Sequence, residues 1–138
     1  KSGVFPDFFA DEGLHHFSYA IYPHQGQDLL PTIQQAHAFN SPFFLHEGTP
    51  AFPFEIRTIS DPNLKVLAMK KSIDGTTVVR LAEMTGGSGQ ASIVFSQVLS
   101  KVSKTTILED EIEILERQNR AFTVDYRPFE ILTLKLWQ

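Results

Sequence analysis

Short apolar runs separated by turn residues fill the chain from residue 55 to residue 138, and their spacing limits the fold more than any other feature. The runs cover residues 55–60, 64–71, 76–84, 90–98, 104–108, 111–116, 121–126 and 129–137. In the last run Leu132, Leu134 and Leu136 alternate with Thr133 and Lys135, which is typical of a strand with one buried face. Short strands at this spacing predict an antiparallel β-sandwich.

Two glycine-containing segments separate these runs in different ways. Asp74-Gly75 stands between two strand-like runs and predicts a β-hairpin, because glycine adopts positive φ at no steric cost. Gly86-Gly87-Ser88-Gly89 follows a predicted strand, as a nucleotide-binding turn would, but such a turn needs a helix next. A strand-like run follows instead, so we expect a flexible hairpin loop.

The N-terminal third of the chain has a different pattern. In the run 14–22, large apolar residues occupy alternate positions (Phe17, Tyr19 and Ile21), which predicts a strand ended by Pro23. Asp28, Pro31 and the helix formers that follow predict one short helix, and Asn40-Ser41-Pro42 ends it.

A proline-rich linker comes next. Residues 41–54 contain three prolines and a glycine, and proline resists central strands because it has no backbone donor. We therefore predict that residues 1–52, a strand, a helix and a linker, belong to a different packing unit from a small β-sandwich domain at 53–138. The expected fold class is mainly β, an antiparallel β-sandwich with one short N-terminal helix.

Composition excludes several classes of partner and chemistry. The net charge of −4 provides no basic field for nucleic acid, and no apolar run approaches the roughly 18 residues that span a membrane. The chain has no cysteine, which excludes disulfides and thiolate metal sites and fits a cytoplasmic protein. Because Lys1-Ser2-Gly3 has neither an initiator Met nor a signal-peptide pattern, we interpret the chain as an excised fragment.

Histidines and carboxylates are the candidate chemical groups. His15, His16 and His24 have neither the close pairing nor the helical His-x-x-x-His spacing of zinc sites, so we expect no metal and no cofactor in this chain. A glycosidase needs two carboxyls across a sugar-sized cleft, one of them kept neutral by burial. Alternation with Ile112 and Ile114 puts most of the local acids on a solvated strand face, and we predict no catalytic residue. These acids are Glu109, Asp110, Glu111, Glu113 and Glu116.

The stretch from Asp11 to Gly26 resembles a motif of bacterial α-mannosidases of glycoside hydrolase family 38, D-x-G-x-H-x-F-x-Y-A-L-x-P-H-x-G. Ile21 replaces the usual Leu. The matching residues, whose individual roles the motif does not define, are Asp11, Gly13, His15, Phe17, Tyr19, Ala20, Pro23, His24 and Gly26.

The later sequence is similar to the same family in the same order. Residues 66–83 resemble its L-x-A-x-K-x…D-G…V-x-R-L-x-E segment, and residues 127–134 resemble its closing x-P-F-E-I-x-T-L. Met84-Thr85-Gly86-Gly87 replaces an Asn- and Pro-rich turn of the family. The resemblance therefore covers residues 11–138.

This resemblance implies a parent enzyme, a retaining exo-acting α-mannosidase that hydrolyses terminal α-mannosides. Its zinc, or another divalent metal, and its aspartate nucleophile belong to an N-terminal domain with no counterpart here. The chain is then expected to be inactive by itself, to brace that catalytic domain as its partner, and to meet mannosyl glycans only through the parent. Residues 14–22 belong to a larger sandwich in the family, so in this chain that apolar strand either pairs with an edge of the small sandwich or pairs between copies, and we expect the second arrangement.

Two other functions remain open from the residues. In a carbohydrate-binding module, Trp137 or Tyr126 would stack on a sugar, whereas Trp137 in a purely structural domain would cover the edge of the sandwich. An exposed planar row of aromatic rings would favour binding, and buried rings would favour the brace.

Overall fold

Nine strands and one helix form in residues 12–41, 47–48 and 55–138, the parts of the chain that the computed structural model describes. The helix α1 spans Leu30–Asn40. The strands are β1 (Ile56–Ile59), β2 (Leu64–Lys71), β3 (Thr77–Glu83), β4 (Gly89–Phe95), β5 (Lys101–Thr105), β6 (Glu111–Ile114), β7 (Arg117–Gln118), β8 (Ala121–Tyr126) and β9 (Ile131–Trp137).

The strands form two antiparallel sheets. One sheet has the order β1-β4-β8-β7 and the other β2-β3-β9-β5-β6. Side chains from both sheets share a single apolar core, in which the rings of Phe95 and Phe122 stack with centroids 5.9 Å apart. The predicted fold class, a mainly β antiparallel sandwich with one helix, is confirmed.

The inner face of the five-stranded sheet follows the predicted alternation. Leu132, Leu134 and Leu136 are buried in the core. The other face of β9 was expected to be solvated, but Thr133 and Lys135 are buried as well. This expectation is wrong because β9 is a central strand, in which Thr133 lies between Arg80 and Thr105 of the neighbouring strands. Lys135 pairs with Asp74 at 2.6 Å and lies beside the Trp137 ring.

Two strand boundaries differ from the prediction. β4 ends at Phe95 rather than near residue 98, and β5 spans Lys101–Thr105 rather than 104–108. Pairing with β9 sets the position of β5, since Val102 lies opposite Leu136. The predicted strand included the apolar residues Ile107 and Leu108, but these two residues lie in the loop that follows β5.

The Asp74-Gly75 hairpin is confirmed, and the second glycine segment has a different role from the predicted one. Gly75 has φ +83°, and Asp74 Oδ1 accepts a hydrogen bond from the Thr76 backbone N–H. The segment Gly86–Gly89 does not close a hairpin, because β3 and β4 belong to different sheets. It crosses between the two layers of the sandwich.

The helix prediction is confirmed, whereas the strand prediction for 14–22 is wrong. Asp28 Oδ1 accepts the Leu30 N–H beside the first turn of α1. Residues 14–22 join neither described sheet, and the side chains of Phe17, Tyr19 and Ile21 are 81–85% exposed. A strand needs a neighbouring edge for its backbone donors, and local alternation does not supply one.

The run 111–116 forms β6, and its acids Glu111 and Glu113 are exposed as predicted, but Ile112 and Ile114 are not buried on the other face. Glu111, Ile112, Glu113 and Ile114 are all exposed. Among the described residues, β6 is the last strand of its sheet and pairs with β5 alone, with a register shift beside Thr105. An edge strand with such an irregularity has no opposite sheet above it to bury one face.

No helix in the described ranges is long and apolar enough to cross a membrane.

Candidate functional site

The outer face of the five-stranded sheet carries an ionic cluster, which we call the Glu109 cluster (Lys70, Ser72, Arg80 and Glu109). Lys70 and Arg80 lie in register positions that alternate with the core residues of β2 and β3. The β5–β6 loop extends to them over the sheet. Glu109 Oε1 lies 2.5 Å from Lys70 Nζ and 3.8 Å from Arg80 Nη2, and Ser72 Oγ donates to Glu109 Oε2 at 2.5 Å.

This cluster holds the loop in a defined position. Arg80 Nη2 also donates to the Ile107 carbonyl at 2.9 Å. The hydrogen bond from Lys70 lowers the pKa of Glu109 below its ordinary value of 4.5, and the bond from Ser72 acts in the same direction. Glu109 has φ +74°, a conformation that costs a non-glycine residue about 1–2 kcal/mol. The contacts of its carboxylate offset that cost.

A buried carboxylate, Glu83, joins two turns in what we call the Glu83 clasp (Glu83, Thr85, Gly86 and Phe129). Glu83 Oε1 accepts hydrogen bonds from the Thr85 N–H and hydroxyl at 2.8 and 2.6 Å. Glu83 Oε2 accepts the N–H groups of Gly86 and Phe129 at 2.8 and 2.9 Å. Burial raises the pKa of Glu83, but these hydrogen bonds outweigh it and lower the pKa to about 2.

The clasp fixes an exposed aromatic side chain. Phe129 has φ +57°, and its ring lies 71% exposed over Gly86. A Cβ at Gly86, where φ is +82°, would lie 2.8 Å from the Phe129 ring. The neighbouring Glu130 accepts the Arg127 N–H and pairs with Lys104 at 2.7 Å. The turn between β8 and β9 is therefore tied to both β3 and β5.

The two candidate sugar-stacking residues occupy different environments. Tyr126 is buried in the core, where its hydroxyl donates to Asp61 Oδ2, and this hydrogen bond raises the tyrosine pKa to about 12. Trp137 is half-buried, with Lys101 Nζ 4.4 Å and Lys135 Nζ 5.7 Å from its ring centroid. Neither arrangement is an exposed aromatic platform, and a sugar contact by either residue stays a prediction.

The carboxylates offer no glycosidase pair within the described residues. Glu113, Glu116 and Asp125 line a cavity of about 430 Å³ together with Lys104. All three acids are exposed, whereas a glycosidase general acid lies in a desolvated environment. Four acids of the described residues are buried or half-buried, and all four are engaged. Glu83 and Glu109 accept the hydrogen bonds described above, Asp61 accepts from the Tyr126 hydroxyl, and Glu130 pairs with Lys104.

The histidines and the motif residues of the N-terminal part lie on its surface. His15, His16 and His24 are exposed, and Gly13 has φ +108°. Asp11 lies outside the described residues. Within the described ranges no three His, Cys, Asp or Glu side chains come together in a group that could hold a metal ion.

The side of α1 that carries Thr32, Ala36 and Phe39 faces residues 20–22 across a cavity of about 460 Å³. No residue of the described N-terminal range, 12–41, is fully buried. These residues therefore pack loosely, and they leave their large apolar side chains uncovered.

Comparison with known proteins identifies the family. Residues 63–134 match the model described as "Glycosyl hydrolases family 38 C-terminal beta sandwich domain". The match covers most of the observed sandwich, from the start of β2 to the middle of β9. This chain belongs to that family.

Three α-mannosidases are similar over nearly the whole chain. Alpha-mannosidase G of Dictyostelium discoideum is 29% identical over 98% of this chain and 13% of its own length. Alpha-mannosidase of Saccharomyces cerevisiae is 28% identical over 99% of this chain and 15% of its own length. Alpha-mannosidase 2C1 of Homo sapiens is 28% identical over 95% of this chain and 14% of its own length. The chain thus spans about one-seventh of the length of these relatives, all three of which are eukaryotic proteins.

Sequence reasoning missed both carboxylate clusters. Glu83 and Phe129 are 46 residues apart, so no local pattern connects them. A signal was nevertheless present, because the family-like segments V-x-R-L-x-E and x-P-F-E contain Arg80, Glu83, Phe129 and Glu130. Glu109 was predicted to lie on a solvated strand face, and this is wrong because the β5–β6 loop turns over the sheet and brings its carboxylate to Lys70.

Proposed function

We propose that this chain is the non-catalytic C-terminal portion of an α-mannosidase that hydrolyses terminal α-mannosides, and that its sandwich braces the catalytic domain. The observation that carries the proposal is the family match over residues 63–134 combined with the engagement of the buried acids in structural hydrogen bonds. The three similar α-mannosidases are about seven times longer than this chain, which leaves room for a separate catalytic domain.

The finer parts of the proposal concern metal, glycan and compartment. The catalytic domain would hold zinc or another divalent metal, and mannosyl glycans would meet that domain rather than the sandwich. The absence of exposed aromatic platforms at Trp137 and Tyr126 supports a brace over a carbohydrate-binding module. The absence of cysteine supports a cytoplasmic location.

Residues 14–22 would join the preceding larger sandwich in the complete enzyme. Their alternating apolar side chains are 81–85% exposed at Phe17, Tyr19 and Ile21, and covering each one stabilises by roughly 1.5–3 kcal/mol. In the isolated chain the same segment would pair between copies, which gives a homo-oligomer through residues 14–22.

A turnover assay tests the function. The purified chain with added zinc should hydrolyse no chromogenic α-mannoside, whereas the complete enzyme should do so under the same conditions. Turnover by the chain that survives a second purification would show that the chain itself carries an active site.

A further inference from the structure

The hairpin of β5 and β6 carries an unusual amount of exposed aliphatic surface. Ile107, Leu108, Ile112 and Ile114 are between 61% and 81% exposed, and they lie within eight consecutive residues. Single exposed apolar residues are ordinary, but several on one feature mark an interaction site. We call these four side chains the hairpin surface.

The hairpin surface is held in place rather than left mobile. The Glu109 cluster anchors the loop at its tip, and Arg80 holds the Ile107 carbonyl. Lys101 pairs with Glu111 at 2.6 Å on the adjoining strand. A loop that is fixed by charged contacts at a strained φ presents its apolar side chains in one arrangement, which lowers the entropy cost of binding.

The charges around the hairpin surface indicate the chemistry of its partner. Glu109 and Glu111 have lysine partners, but within the described residues Asp110, Glu113 and Glu116 form no ion pair. Arg117, next to Glu116, also forms no ion pair among the described residues, so three unpaired acids and one unpaired base leave the rim acidic. A complementary partner has an apolar centre bordered by Lys or Arg, because opposite potentials meet across specific interfaces.

A second copy of the chain does not fit this description. A twofold contact through the hairpin surface would bring the same acidic rims together, and the chain has a net charge of −4. Like charges in such a contact are costly. The large part of the α-mannosidase relatives that lies outside the matched region is the better source of a partner.

We propose that the hairpin surface docks the sandwich onto the preceding part of the same enzyme, on an apolar patch bordered by basic side chains. This inference rests on the proposed function, since it requires a longer α-mannosidase. The free edge of β6 is also covered by this docking, which removes an edge that would otherwise recruit other chains.

The test introduces two charges on the hairpin surface. The double variant Ile112→Glu/Ile114→Glu is made in the complete enzyme and in the 138-residue chain, with Ile73→Glu as the matched control. Ile73 is a fully exposed isoleucine at the β2–β3 turn. Limited proteolysis measures release of the sandwich from the complete enzyme, and thermal unfolding measures the chain.

We expect the double variant to release the sandwich roughly tenfold faster, because proteolysis follows the population of the undocked form. The Ile73→Glu control should behave as wild type, and the unfolding temperature of the 138-residue chain should not change. Charge reversal by Glu113→Lys/Glu116→Lys should also accelerate release, with a smaller effect at high salt.

Three outcomes would overturn the inference. Wild-type release in the double variant would mean that the sandwich docks through another surface. A lower unfolding temperature of the 138-residue chain in the double variant would mean that a segment of this chain covers the two isoleucines. Dimerisation of the chain that the double variant abolishes would identify a second copy as the partner. Absence of mannosidase activity in the complete enzyme would instead refute the proposed function, while the release rates would still report docking.

Discussion

The Glu83 clasp provides the sharpest test of how the sandwich is held together. Each oxygen of Glu83 accepts two hydrogen bonds, one pair from Thr85 and one pair from the N–H groups of Gly86 and Phe129. The amide of a Glu83→Gln variant has one acceptor oxygen, so it satisfies one pair and turns its NH₂ group towards the other. The variant keeps the shape of the side chain and removes part of its hydrogen bonding.

The expected cost follows from these contacts. Hydrogen bonds to a charged group contribute about 1.5–3 kcal/mol each. Water can reach part of the clasp, because Thr85 and the Phe129 side chain are exposed, so the lower end of the range applies. Two weakened bonds then cost about 2–3 kcal/mol, and a domain of this size loses roughly 10–20 °C in unfolding temperature.

Thermal and guanidinium unfolding at neutral pH measure this cost, with Glu113→Gln as the control. Glu113 is an exposed acid on β6, so the same chemical change there should cost almost nothing. The reasoning is refuted if Glu83→Gln destabilises the chain no more than Glu113→Gln does.

The pH dependence gives a second, independent reading of the clasp. Burial raises the pKa of Glu83, but the hydrogen bonds to its carboxylate outweigh burial, so the pKa falls from 4.5 to about 2. The folded state therefore binds this proton less readily than the unfolded state, and the stabilisation is complete above pH 4.5. The stability difference between wild type and Glu83→Gln should shrink as the pH falls from 4.5 towards 2. A difference that stays constant over this interval would contradict the assigned charge.

Two further predictions concern the loop and the domain boundary. The contacts of Lys70 and Ser72 lower the pKa of Glu109 below 4.5. Acidification below pH 4.5 should therefore increase hydrogen exchange of the backbone amides at residues 106–110 before it increases exchange in β9. Simultaneous exchange of the loop and β9 would refute the anchoring role of Glu109. Deletion of residues 1–52 should leave a folded, monomeric β domain, because the buried core lies within the sandwich. Calorimetry should show cooperative unfolding and sedimentation should show a monomer. A truncated chain that is unfolded would show that the predicted domain boundary is wrong.

The sequence predicted most strands because their signals are local. Alternation placed Leu132, Leu134 and Leu136 in the core, and Asp74-Gly75 marked a turn whose backbone requires positive φ. The same local reading could not determine which sheet a strand joins. It therefore predicted a hairpin at the Gly86–Gly89 crossover and a strand at residues 14–22, which have no partner edge in the described part of the chain.

The carboxylate clusters depend on contacts between distant residues. Glu109 meets Ser72, 37 residues away, and this contact forms only because the β5–β6 loop turns over the outer face of its sheet. The exposed positions of Ile112 and Ile114 have the same origin, since β6 lies at a sheet edge. Alternation alone predicts that one face is buried, but the location of the strand in the sheet decides whether anything covers that face.

Removal of residues 55–138 from the complete enzyme tests the non-catalytic role of the sandwich most directly. At a temperature where the truncated enzyme remains folded, its kcat on an α-mannoside should stay within about twofold of wild type, since the proposed role places no transition-state contact in the sandwich. Its unfolding temperature should be lower, because the proposed brace is removed. Loss of catalysis in a truncated enzyme that is still folded and still binds its metal would contradict this account.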